Sequence, residues 1–240
     1  MKNQVKKFSL KAINSINEKY KKYLLKRPQK KYTIEGISIK CKNSHSILLS
    51  IVSANTFRGF HKIDKKRKGA KDVVSDYFLK NQVNIKSELV KVNNRDALDK
   101  LSHKIALDIR GKLTNIKPCC LIAYNKTRKL IDLYFEHIVL LSEELTNAQR
   151  KRLLPLLFVP LDEQILVKMK PHLSSVVLPS KPTMSSVVCK EAYDKIQCDI
   201  SSFCKSNKIS APIALDLLWR NRYKKNGSDF LELTLAATKK

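Results

Sequence analysis

Glycine is scarce, with five in 240 residues. Folds that bring backbone against phosphate or repeat tight turns need glycine at fixed spacings. Collagen-like repeats, propellers, and dinucleotide or P-loop folds are therefore disfavoured. The six cysteines (Cys41, Cys119, Cys120, Cys189, Cys198 and Cys204) include no Cys-x-x-Cys pair. Cys119 and Cys120 are neighbours, and a bridge between neighbours is strained. No disulfide framework is visible, which fits a reducing compartment. The histidines at 45, 61, 103, 137 and 172 form no i,i+4 pair. Neither a zinc site nor any other cofactor is expected. No apolar run approaches the roughly 20 residues that a membrane-spanning helix needs. The longest are Ile47–Ala54 and Leu153–Leu161, and Pro155 and Pro160 break the second. The opening MKNQVKKFSLK is basic but no apolar h-region follows. The expectation is a protein with no membrane span, in the cytoplasm, or in the nucleus of a nucleated cell. Richness in Lys, Asn and Ile points to an AT-rich coding source such as a mobile element or its host.

Acids are scarce too: 21 Asp+Glu face 48 Lys+Arg, a formal net charge of +27. The imbalance is uneven. Residues 1–71 carry 20 Lys/Arg against Glu18, Glu35 and Asp64, a net of +17 in under a third of the chain. Such a segment repels itself unless counter-charge is supplied. A phosphate backbone supplies it, and released counterions then drive binding. An acidic protein or membrane surface is the other source, and a solvated basic face with no partner is the bland alternative.

Hydrophobic residues make up 43 % of the chain, enough for a core. Val5, Phe8, Ala12, Ile13, Ile16, Tyr20 and Leu24 recur at helical spacing, with Lys6, Lys7, Lys11, Lys21 and Lys22 largely off that stripe. This predicts an amphipathic basic helix closed near Pro28. Tyr32–Lys40 alternates enough for a short strand with Gly36 as a bulge, and Val83–Val92 is a second strand candidate. His45–Phe60 fits helix or strand equally. HKIDKKRKGAK (61–71) is predicted as a loop or flexible arm centred on Lys65, Lys66, Arg67 and Lys68. Such clusters contact phosphate without base information, and could equally serve as a localisation signal. Asp72–Leu79 is a short helix in this reading.

From Asn94 onward the pattern is helical. Asn94 or Asp96 caps a helix closing near Gly111. Lys126–Leu145 carries Leu130, Ile131, Tyr134, Ile138, Leu141 and Leu145 on one face. Thr146 or Asn147 caps a short helix reaching Pro155, and Asp162 caps another. The Ser/Pro-rich stretch 172–186 is an exposed loop or linker. Ser185 or Ser186 opens a helix with Val188, Ala192, Ile196, Ile200 and Phe203.

Asp199–Lys225 has the outline of a helix-turn-helix. One helix ends near Ser206, Asn207 takes the left-handed turn, and Ser210 caps a second helix. That helix ends in Arg220, Arg222, Lys224 and Lys225. Phe203–Arg222 resembles the DNA-binding corner of some transposases, where a Cys precedes an Ile-Ser turn and a Trp-Arg pair follows. It differs in that Trp219 comes late after Ser210 and Asn207-Lys208 replaces the usual Gly. An ordinary helical hairpin with Trp219 as a core anchor reads the same residues as well.

Three weaker signals complete the inventory. Asp132 and Glu136 are four apart on one helix, with His137 beside them; paired carboxylates of this kind could hold Mg²⁺ for phosphodiester cleavage. Arg128, four residues before Asp132, is placed to pair with it, and a solvated helix face is the plainer reading. Glu88 and Lys91 after Asp76 miss the nuclease Glu-x-Lys spacing by one residue. Tyr20, Tyr23 and Tyr32 interleave with lysines and could stack bases.

The sequence thus predicts a mainly α, multi-helix domain with a small α+β element of short strands in its N-terminal third. It divides as 1–92, a basic N-terminal region, and 93–240, a helical domain with the 172–186 loop and a C-terminal hairpin over 187–225. The expected function is non-enzymatic nucleic-acid binding, DNA favoured, through Lys6, Lys7, Lys11, Lys21, Lys22, Lys65, Lys66, Arg67, Lys68, Arg220, Arg222 and Lys224. An assembly protein docking on an acidic complex or capsid is the rival, and a metal-dependent phosphodiesterase the third reading.

Overall fold

The computed structural model describes Asn14, Asn17, Glu18, residues 31–34 and 37–40, Leu48 and, continuously, residues 55–219. Of the predicted N-terminal helix, Asn14, Asn17 and Glu18 are helical; its lysines lie outside the described residues. Lys31–Ile34 pairs antiparallel with Ile37–Lys40, Ile34 opposite Ile37, over the stretch expected to form one strand.

The body over 55–219 is helical: α1 (Ala70–Lys91), α2 (Arg95–Lys112), α3 (Tyr124–Leu141), α4 (Asn147–Leu153), α5 (Glu163–Met169), α6 (Lys190–Ser206) and α7 (Ala214–Trp219). It contains no strand, only an isolated bridge between Lys62 and Ile116, so the expected α+β element is no part of it. The predicted strand Val83–Val92 is the second half of α1, and the predicted short helix Asp72–Leu79 is its first half. Val83 faces solvent at 73 % exposure while Ile85 and Leu89, four apart, are buried. The apparent alternation was a helical stripe seen over too short a window.

Side-chain caps fix the starts of α2, α4 and α5. The Asn94 side chain accepts from the Ala97 N–H at 2.8 Å. Thr146 and Gln149 form a reciprocal capping box at the start of α4. Asp162 accepts from the Ile165 N–H at 2.9 Å at the start of α5. The α6 helix starts later than expected, after Cys189 rather than at Ser185 or Ser186.

One core gathers side chains from Leu48 to Leu215, with α3 at its centre against α2, α4 and α6. Leu130, Ile131, Tyr134, Phe135, Ile138 and Val139 are all essentially sealed from solvent. Phe78 of α1 stacks on Tyr134, ring centroids 4.0 Å apart. Because neighbours surround α3, its polar stripe is buried as well: Asn125, Thr127, Arg128, Asp132 and Glu136. Arg150 of α4 reaches back to donate to the Val139 and Leu140 carbonyls at the C-terminal end of α3.

Candidate nucleic-acid interface

The loop before α1 carries the densest positive charge of the described body. Lys62, Lys65, Lys66, Arg67 and Lys68 are all exposed. Its backbone is held on two sides, which corrects the flexible-arm expectation. The Ile63 N–H donates to the Asn115 carbonyl at 2.9 Å, and the Lys117 N–H donates to the His61 carbonyl at 2.9 Å. The buried Asn115 side chain accepts from the Asp64 N–H and donates to the carbonyls of Asp64 and Lys68 at 2.9 and 3.0 Å. Lys62 folds inward and donates to the carbonyls of Lys65 and Arg67. Its stem crosses Gly69 so closely that a Cβ there would sit 2.8 Å from Lys62 Cε, so this position needs glycine or a displaced lysine. Asp64, the loop's one acid, spends an oxygen on the Lys66 N–H.

The cations therefore divide by role. Lys62 holds the loop together. Lys68 pairs with Asp76 at 2.5 Å, and that hydrogen bond raises its pKa. Lys65, Lys66 and Arg67 form no ion pair among the described residues and point their charge at solvent from a fixed turn. The pairing of 61–63 with 115–117 brings Lys117, and Lys112 at the end of α2, to the same end of the molecule. Sequence reading missed Asn115, Lys112 and Lys117, because about fifty residues separate them from the loop and nothing local ties them to it.

The C-terminal corner departs from a DNA-reading helix-turn-helix. Lys208, not Asn207, takes the left-handed conformation, at φ 55. The Ile209 N–H donates to Cys204 O and the Lys208 N–H to Lys205 O, the Schellman pattern that closes α6. Ser210 does not cap the next helix: its N–H and hydroxyl both donate to Asn17 Oδ1 at 2.9 Å, while Asn17 donates to the Lys208 carbonyl. Ile213, Ala214, Leu215 and Asp216 at the start of α7 are buried. A recognition helix must expose that end to base edges. Here it is sealed and carries an acid, so the helix-turn-helix reading is not supported. Arg220, Arg222 and Lys224 lie outside the described residues, as do Lys6, Lys7, Lys11, Lys21 and Lys22.

The carboxylate pair of α3 is neither a solvated face nor an open metal site. Arg128 is fully buried and donates to Asp132 at 3.0 Å and to Asp99 at 2.6 Å. The Tyr193 hydroxyl donates to the other Asp132 oxygen at 2.7 Å. The Arg128 guanidinium also lies 4.7 Å from the Phe158 ring centroid and 4.5 Å from that of Tyr193. Burial opposes its charge, but the surrounding Tyr193, Asp132, Tyr124 and Asp99 oxygens prevail and hold its pKa well above the usual arginine value. Glu136 is buried a turn further on. Among the described residues no three His, Cys, Asp or Glu side chains are grouped to hold a metal ion. No helix among them is long and apolar enough to cross a membrane. No protein-family model, curated protein or solved structure matches the chain.

Proposed function

We propose that this protein binds nucleic acid, with the 61–68 loop contacting phosphates. One observation carries the reading: Lys65, Lys66 and Arg67 are held on a pinned backbone with no acidic partner among the described residues, while the two cations flanking them are used internally. A fixed loop loses little further backbone entropy on binding, and each phosphate neutralised releases counterions. Contacts of this kind hold a polynucleotide without reading its sequence. DNA is the favoured partner, and the lysine-rich segments over 2–31 and 220–240 would add to the positive charge available for it.

The test is a salt titration of affinity for a labelled oligonucleotide. Charge reversal at Lys65, Lys66 and Arg67 together should weaken binding to every sequence and make the salt slope shallower by up to about 3. Lys68→Glu alone should matter less, because Asp76 already holds that ammonium. Unchanged affinity and slope in the triple variant would remove the loop from the interface. A wild-type protein that retains no nucleic acid at physiological salt would instead favour docking on an acidic protein assembly.

A further inference from the structure

A groove of about 780 Å³ runs between α1 and α2, beside the basic loop. Val73, Asp76 and Tyr77 stand on its α1 wall, and Leu107 and Asp108 on its α2 side. It adjoins the loop directly, since Lys68 reaches into its edge to pair with Asp76. The lining combines lysines, a half-exposed Leu107 and two carboxylates of unequal standing. Asp76 is neutralised by Lys68. Asp108 is exposed, makes no ion pair among the described residues, and has one oxygen fixed by the Tyr77 hydroxyl at 3.0 Å. That hydroxyl stays protonated, because burial and the neighbouring carboxylate both raise its pKa. Asp108 is thus held in orientation, with its second oxygen and remaining lone pairs available as acceptors.

An ionised carboxylate next to a phosphate-binding loop repels the backbone it should attract. The repulsion vanishes if a lysine covers it, as at Asp76, or if it accepts hydrogen bonds from donors on the bound chain. Among nucleobases, guanine offers two adjacent donors, N1–H and the exocyclic amine, at the spacing of a carboxylate's two oxygens. Bases splayed from single strands are read on that edge. We infer that this groove is a base-reading subsite for a guanine of a single strand, with Asp108 accepting from the base edge, Leu107 and Val73 against its face, and Lys80 and Lys112 near the adjoining phosphates. This rests on the nucleic-acid reading above and adds to it a preference that the loop cannot supply. The open space beside Gly111, where a Cβ would meet nothing within 4 Å, leaves the α2 wall low enough for a flat ring to enter.

The experiment compares affinities for a labelled oligothymidylate and for the same strand carrying isolated guanines. Wild type should prefer the guanine strand by about tenfold. Asp108→Asn should bring the ratio close to one, whatever it does to overall affinity, and Tyr77→Phe should reduce it in part. Replacing guanine by inosine, which lacks the exocyclic amine, should also reduce it. Charge reversal at Lys65, Lys66 and Arg67 should weaken both strands and keep the ratio. Equal wild-type affinities, or a ratio unaltered in Asp108→Asn, would overturn the subsite while leaving the phosphate contacts standing. A wild-type protein that binds neither strand would overturn the subsite, and one that also retains no duplex DNA would overturn the phosphate contacts with it.

Discussion

Lys208 shows how one residue type can conceal a feature of the backbone. The turn that closes α6 needs a left-handed residue, and glycine is the usual signal for it. Here lysine occupies that position at φ 55, so the sequence directs attention to Asn207, which is instead at φ −99. A side chain in this conformation costs of order 1 kcal/mol or more, offset here by the paired hydrogen bonds of the closing motif. Lys208→Gly should therefore raise stability by about 0.5–1 kcal/mol in urea denaturation. A loss of stability would mean that the lysine side chain contributes more than its backbone strain costs. Arg128 makes the same point about chemistry. Its pairing with Asp132 was legible from the i,i+4 spacing, whereas the burial of both, and the second partner Tyr193 sixty-one residues away, were not.

At the level of elements, the sequence performed best where polar side chains mark helix ends. Asn94, Thr146 and Asp162 cap where their chemistry says they should, because a cap is a local bond between neighbours. It performed worst for α1, where a few alternating residues resembled a strand. The Ser/Pro-rich 172–186 stretch shows a further limit. Its composition suggests a linker, but Asp199 of α6 accepts from the N–H and hydroxyl of both Ser174 and Ser175 at 2.8–3.1 Å. Burial works against the Asp199 charge, but these four bonds outweigh it and hold its pKa below the usual aspartate value. A depressed carboxyl stabilises the fold fully above its unfolded value of about 4 and loses that contribution as pH falls through the folded value. Amide protection at Ser174 and Ser175, taken relative to the intrinsic exchange rate at each pH, should thus be full at neutral pH and fall selectively as pH drops below about 4. Asp199→Asn should show the reduced protection already at neutral pH, the difference from wild type closing in acid. Equal protection in wild type and variant at neutral pH would sever the loop from this carboxylate.

Across the whole molecule, one buried cation ties three segments together. Arg128 of α3 binds Asp99 of α2, lies against Phe158 and Tyr193, and shares Asp132 with Tyr193 of α6; Lys190 of α6 closes the ring on Asp99 at 2.8 Å. Removing only the cation strips the counter-charge from Asp132, whose pKa burial already raises. Either keeping that carboxyl charged or protonating it is costly, so Arg128→Met should lose about 3–5 kcal/mol by chemical denaturation. Adding Asp132→Asn removes that charge and keeps an acceptor for Tyr193, so the double variant should be the more stable of the two. A double variant no better than the single would show that packing of the guanidinium, not its charge, matters. By itself, the sequence determined the helical class, the main helix caps and the excess of cations toward the amino end, because propensity, capping and charge are properties of neighbouring residues. Only the tertiary structure decided which cations are free. Lys62 and Lys68 look identical to Lys65 and Lys66 in the sequence, but Asp76 and the loop's own carbonyls claim the first two, and Asn115, some fifty residues away, holds the turn that presents the others.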